Sequence, residues 1–198
     1  MAILAFNKWG TEGIVVTDPG LERYITIQPR IVPKTGARYA GAKFHKSKVF
    51  IVERLINKVM CPGHKSRKHW RSSGHMGGQA QQAHNIVMRA FDIVEKKTKE
   101  NPIKVFVEAL VNAAPREQIV TIEYGGARYP KATECSPQRR VDLVLRLFTQ
   151  GAYTKSFNSR RKIEDCLAEE IISAWKLDPK SNAIQKKLDV ERQADAAR

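Results

Sequence analysis

The chain has 198 residues, 42% of them apolar, which is enough for one folded core and excludes wholesale disorder. Its 35 Lys and Arg against 20 Asp and Glu leave a formal charge of +15, which calls for an anionic partner, either nucleic acid or a membrane surface. No apolar run approaches the roughly 20 residues of a bilayer-spanning helix, and residues 1–6 are too short for a signal-peptide core, so the membrane reading loses.

Three cysteines, Cys61, Cys135 and Cys166, are too irregularly spaced for a disulfide framework and suit reduced thiols in the cytoplasm. Residues 1–47 show no sustained helical period, because glycines and prolines such as Gly13, Pro19, Pro29, Pro33 and Gly36 interrupt it. Residues 24–27 make a candidate strand. Between Glu22 and Glu53 no acid occurs, while Lys34, Arg38, Lys43, Lys46, Lys48 and the aromatics Tyr39 and Phe44 intervene. One-signed charge with few large apolar groups makes no core of its own. Residues 1–47 therefore read as an extended basic arm that orders on a polyanion.

From residue 48 helical period dominates. Val52, Leu55, Ile56, Val59 and Met60 form one apolar stripe, and Ala83, Val87, Ala90, Phe91 and Val94 a second. Between them lies a basic loop with Lys65, Arg67, Lys68 and Arg71, suited to phosphates, and Trp70, which either stacks on a base or packs on the bundle. Cys61, His64, His69 and His75 in this loop invite a zinc reading, but a single thiolate without paired-ligand spacing argues against it, and no metal or cofactor is expected. Asn101-Pro102 and Ser136-Pro137 each carry the signature of a helix start, with an N-cap residue ahead of a proline that has no N–H to lose. The first leads to Val105, Phe106, Ala109 and Leu110. The second leads to Val141, Val144, Leu145 and Phe148, with Gly151 as a stop or kink. Ile163, Leu167, Ile171 and Ala174 make a fifth stripe, stopped by Asp178-Pro179. Its acidic pairs Glu164-Asp165 and Glu169-Glu170 read as a solvated helix face. Ser181 caps a last, mostly polar helix.

One segment switches to period two. Residues 119–124 and 127–134 are rich in β-formers and are split by Gly125-Gly126, which tolerates the positive φ at both positions of a type I′ turn. Pro130 bars a central strand, so the pair is an isolated ribbon. The chain has no nucleophile elbow, no phosphate-cradling Walker loop and no H-E-x-x-H, which argues against an enzyme.

In order, Ile51-Val52-Glu53-Arg54-Leu55-Ile56-Asn57-Lys58, Glu100-Asn101-Pro102, Ala114-Pro115-Arg116-Glu117, Tyr124-Gly125-Gly126, Tyr129-Pro130 and Ser136-Pro137-Gln138-Arg139-Arg140 resemble the universal small-ribosomal-subunit protein seven family. Phe157-Asn158, Leu167-Ala168, Ala183-Ile184 and Glu191-Arg192 continue the match. Its register is that of the archaeal and eukaryotic branch, and it covers residues 45–198. The resemblance implies a mainly α fold: a bundle of about six helices, one protruding hairpin at about 118–134, and an irregular basic N-terminal extension. It implies that residues 48–198 bind the 3′ major domain of small-subunit rRNA, beside neighbouring ribosomal proteins. The hairpin and C-terminus would lie near exit-site tRNA and mRNA. Arg128, Tyr129 and Lys131 would sit toward the hairpin tip, Arg116 at one root, and Arg139 and Arg140 at the other. Lys155, Arg160, Arg161 and Lys162 join the RNA-binding set. Arg139 and Arg140 lie in a first helical turn, against the dipole preference for acids, so losing both is expected to weaken RNA binding and spare stability. The rival reading is a free nucleic-acid-binding regulator with a Cys/His metal module.

Overall fold

The computed structural model describes residues 3–65, 68–69 and 74–198. The roles expected of Arg67, Trp70 and Arg71, and of the side chains of Lys65, Lys68 and His69, lie outside the described residues. Among the described residues the helices are α1 (Pro19–Glu22), α2 (Ile51–Val59), α3 (Ala80–Thr98), α4 (Pro102–Ala113), α5 (Pro137–Ser156), α6 (Ile163–Trp175) and α7 (Asn182–Ala196). A 3-10 turn spans His45–Lys48. Strands β1 (His64–Lys65) and β2 (Lys68–His69) form a short antiparallel ladder, and β3 (Glu117–Tyr124) with β4 (Ala127–Glu134) form the long hairpin. This is the expected mainly α bundle with one projecting ribbon.

The apolar stripes read along the chain are the buried faces. Val52, Leu55, Val87, Phe91, Val105, Phe106, Leu110, Val144, Leu145, Phe148, Leu167 and Ile171 are all buried. Helix α6 packs against α3, α4 and α5, which makes it the hub of the bundle. A run of rings crosses the core, Phe91 to Phe106 at 5.6 Å and Phe106 to Phe148 at 6.3 Å between centroids. Truncating any of the three to alanine costs about 3–5 kcal/mol by loss of transfer energy and cavity formation.

The N-terminal segment differs from a uniformly extended arm. Phe6 and Trp9 extend the ring run, lying 6.0 and 6.1 Å from Phe91, and Ala5, Trp9, Val16, Leu21 and Ile25 are buried in the common core. Trp9 Nε1 donates to Glu95 at 3.1 Å, and Asn101 Nδ2 donates to the Gly10 carbonyl at 2.7 Å. Most of the large apolar groups that secure this stretch stand ahead of the one-signed run, and residues 28–44 are mostly exposed. Residues 24–27 form no strand. Thr26 makes a single parallel bridge with Phe50, because the start of α2 ends the pairing.

Asn101 caps α4 as expected, accepting from the Ile103 N–H at 3.0 Å. Ser181 does not cap α7 with its own side chain. Its Oγ donates to Glu170 Oε2 at 3.0 Å, and the Asn182 N–H donates to the same oxygen at 3.0 Å, so an acid on α6 caps α7. Glu170 is fully buried rather than on a solvated face, with Lys155 Nζ 2.7 Å from Oε1. Gly151 does not stop α5, which runs on to Ser156. A Cβ there would lie 2.8 Å from the Glu170 carboxyl carbon and 2.9 Å from Asn182 Cβ, so glycine is what lets α6 and α7 approach.

Candidate nucleic-acid interface

The hairpin carries its functional side chains clear of the body. Gly125 and Gly126 take φ of 58° and 82°, which closes a two-residue turn between Tyr124 and Ala127. Opposite residues share a face, so Val120, Ile122, Tyr124, Tyr129 and Lys131 lie together and Glu123 faces Arg128 on the other side. Tyr129 is 59% exposed, and Arg128 and Lys131 are exposed. Arg128 Nε is 3.6 Å from Glu123, a solvated pair that leaves its charge available.

At the root, α7 packs against β3 and β4. The Arg116 N–H donates to Glu191 at 3.2 Å while its side chain stays exposed. Cations crowd here. Burial, followed by the charges of Arg116 and Arg140, holds Lys187 below the usual lysine pKa, against the pull of Glu191 in the other direction. Lys187 Nζ donates to the Asn112 carbonyl at 2.8 Å, which ties α7 to α4.

Arg139 and Arg140 part company. Arg139 is exposed, whereas Arg140 is 8% exposed and its Nη2 donates to Asp18 Oδ2 at 2.8 Å. Asp18 also accepts from the Gly20 N–H at 2.9 Å, so Arg140 fastens α1 to α5 and is structural. The helical period held that signal: Arg140, Val144 and Phe148 recur every fourth residue on the buried face, and Arg139 shares the exposed face with Arg146.

Of the other expected residues, Lys34, Arg38, Lys43 and Lys48 are exposed along the N-terminal segment, and Arg160 and Lys162 are exposed at the turn before α6. Lys46 bonds Asp142, and Arg161 bonds Glu169. Lys155 is committed to Glu170 and to the Lys180 carbonyl at 3.2 Å, a brace for α7 rather than a free cation. Lys58 and Arg146 escaped sequence reading. Both stand on polar helix faces; Arg146 follows Arg139 by two turns on one face of α5, and the packing of α2 on α5 brings Lys58 to them. Cys135 and Cys166 are buried fillers whose pKa burial raises, and Cys61 is exposed. Among the described residues no three His, Cys, Asp or Glu side chains converge as a metal site.

Asp142 joins the N-terminal segment to the bundle, accepting from Lys46 and from Arg54 Nη2 at 3.0 Å. Arg54 is buried, and its Nη1 donates to the Tyr24 carbonyl at 2.9 Å. Burial works to raise the Asp142 pKa but is outweighed by the hydrogen bonds and charges of Lys46 and Arg54, so it lies below the usual value. Burial likewise works to raise the Asp18 pKa, and Arg140 and the Gly20 N–H outweigh it. With both folded values depressed, the unfolded chain binds more protons in the interval between folded and unfolded pKa. The stability they contribute is complete above the unfolded value of about 4 and is lost as pH falls through the folded values. Asp142→Asn is expected to flatten the acid limb of a urea-midpoint profile taken from about pH 6 downward. An acid limb as steep as wild type would refute this.

Residues 21–198 match the family model described as ribosomal protein S7p/S5e. The chain is 48% identical over 198 residues, 100% of both chains, to the small ribosomal subunit protein uS7 of Nanoarchaeum equitans. It is 47% identical over 196 residues, 99% of this chain and 95% of the relative, to the protein of that name from Archaeoglobus fulgidus. Identity is again 47% over 193 residues, 98% of each chain, with the uS7 of Methanothrix thermoacetophila. The likeness therefore includes the N-terminal segment whose own motifs carried no resemblance. A helical body with a free ribbon, buried stripes in register with the family motifs and full-length identity near one half agree: the chain belongs to the ribosomal protein S7p/S5e family.

Proposed function

We propose that the chain is a structural component of the small ribosomal subunit, binding the 3′ major domain of its rRNA and helping to assemble the head beside neighbouring ribosomal proteins. Family membership across residues 21–198 carries this reading. The charge supports it: +15 is displayed on a rigid body whose exposed arginines and lysines are spread over several elements. Side chains cannot read the deep major groove of A-form RNA, so folded RNA is held at phosphates, 2′-hydroxyls and unstacked bases. The exposed basic stretch 28–47 is the arm that tracks the polyanion, and residues 48–198 are the binding body. The role is that of a constituent, not a catalyst.

The hairpin reads as a probe that enters a crevice near exit-site tRNA and mRNA. A two-stranded ribbon is marginal in water and is kept by what it touches, here α7 at its root. Residues 121–130 are exposed throughout and contribute nothing to the core. Deleting residues 124–130 is therefore expected to leave the helical circular-dichroism signal and subunit incorporation nearly unchanged while perturbing exit-site function. Loss of the helical signal would make the tip structural.

The reading is tested by gradient sedimentation. The protein is expected to cosediment with small subunits at moderate salt and to leave them as rising salt weakens its hold on phosphates. Protein that stays at the top of the gradient even at low salt would sink it. Crosslinking in extract then names the nucleotides, with the 3′ major domain expected.

A further inference from the structure

A cleft of about 440 Å3 opens where the 3-10 turn, the end of α2 and the start of α5 meet. Lys46, Lys58, Arg139 and Arg146 line it, against one carboxylate, Asp142, which Lys46 and Arg54 already neutralise. It is thus strongly positive. Three further observations mark it as built for an anion with a base attached.

The 20-residue helix α5 begins in this cleft at Ser136, which makes no side-chain cap, so its first N–H groups are left open at the positive end of the dipole. Gln138 lines the same cleft and is 8% exposed. Its Oε1 accepts from Ser47 Oγ at 2.5 Å, and its Nε2 has no acceptor among the described residues. A buried donor without a partner is destabilising, so this wall of the cleft is kept at a cost to stability.

Phe44 stands on the rim. It takes φ of 63°, in the left-handed region that a bulky residue avoids, and its side chain is 64% exposed. Strain held without any burial in return points to function rather than packing. Beside it the Ser47 N–H donates to the Phe44 carbonyl at 3.0 Å, and the Tyr39 and His45 rings stack with centroids 3.9 Å apart.

We propose that this cleft seats one nucleotide of single-stranded RNA, its phosphate held by Lys58, Arg139, Arg146 and the open start of α5, its base stacked on Phe44. The seat rests on the rRNA-binding reading and deepens it. Within a duplex both faces of a base are covered, so a lone exposed ring selects an unpaired nucleotide, and stacking makes that selection tolerant of sequence.

Filter binding of the full-length chain to a transcript of the 3′ major domain tests the seat, with an equal-length unrelated RNA as control. Phe44→Gly relieves the backbone, so its unfolding temperature is expected to rise while transcript affinity falls about tenfold with the salt slope unchanged. Phe44→Tyr is expected to bind as wild type. Lys58→Gln with Arg146→Gln is expected to flatten the slope of log K against log salt by about 0.7 for each phosphate the protein ceases to neutralise. If Phe44→Gly and the double variant both bind like wild type while wild type still prefers the transcript, the seat is wrong and the rRNA reading stands. If Phe44→Gly lowers the unfolding temperature and leaves binding intact, Phe44 is structural and the stacking role falls. If wild type shows no preference for the transcript, the rRNA reading falls and the seat with it.

Discussion

Glu170→Ala is expected to destabilise the protein by about 2–4 kcal/mol, chiefly the cost of leaving the two donors at the start of α7 without their acceptor. The carboxylate is fully buried: its Oε2 accepts from Ser181 Oγ and from the N–H of Asn182 at the start of α7, and its Oε1 is ion-paired with Lys155 Nζ of α5 at 2.7 Å. Alanine leaves the hydroxyl and an end of α7 without acceptors and the ammonium without a counter-ion. Glu170→Gln keeps an acceptor for Ser181 and Asn182 and loses only the charge, so its effect is smaller. Gly151→Ala pushes a methyl to within 2.8 Å of the same carboxylate and is expected to destabilise by about 1–3 kcal/mol through overpacking. Because the two positions touch, part of the Gly151→Ala effect disappears in the Glu170→Ala background. Denaturant midpoints at neutral pH decide it. A Glu170→Ala variant within about 0.5 kcal/mol of wild type, the scatter of ordinary surface substitutions, would remove Glu170 from this role.

Arg139→Ala and Arg140→Ala are expected to separate binding from stability. Arg140 is buried against Asp18, and its loss leaves that acid without its main partner and α1 without its tie to α5. A hydrogen bond between charged groups contributes about 1.5–3 kcal/mol, so Arg140→Ala is expected to unfold that much more easily. Residues 3–27 should loosen first, read as faster amide exchange at Leu21 and Ile25. Arg139→Ala, at an exposed side chain, should keep wild-type stability and lose affinity for rRNA, with a shallower salt dependence. Losing both was expected to spare stability; with Arg140 buried against Asp18, only the loss of Arg139 is now expected to do so. Equal unfolding midpoints for Arg140→Ala and wild type would defeat the clasp.

Much of the fold was legible because helical burial is periodic. The stripes at Val52 to Val59, Ala83 to Val94 and Val141 to Phe148 each recur every three or four residues, and each is buried as read. The hairpin was legible because Gly125-Gly126 permits the positive φ of a tight turn and Pro130 removes a ladder donor, with no help from distant residues. Less of the interface could be read. Lys155, Arg140 and Lys46 look like Arg139 and Lys131 in the sequence, yet the first three are bonded to Glu170, Asp18 and Asp142. Composition counts charges and cannot see which acid comes to meet each one.

The sequence by itself determined the helices, the ribbon, the family and the sign of the partner's charge, since these follow from local period, turn chemistry and a net count. Only the tertiary structure decided that Phe6 and Trp9 reach the core, that Glu170 caps a neighbouring helix, and that Lys58 joins Arg139 and Arg146 in one cleft. Those outcomes depend on contacts between residues tens of positions apart, where the packing of helices, not the preference of any residue, sets who meets whom.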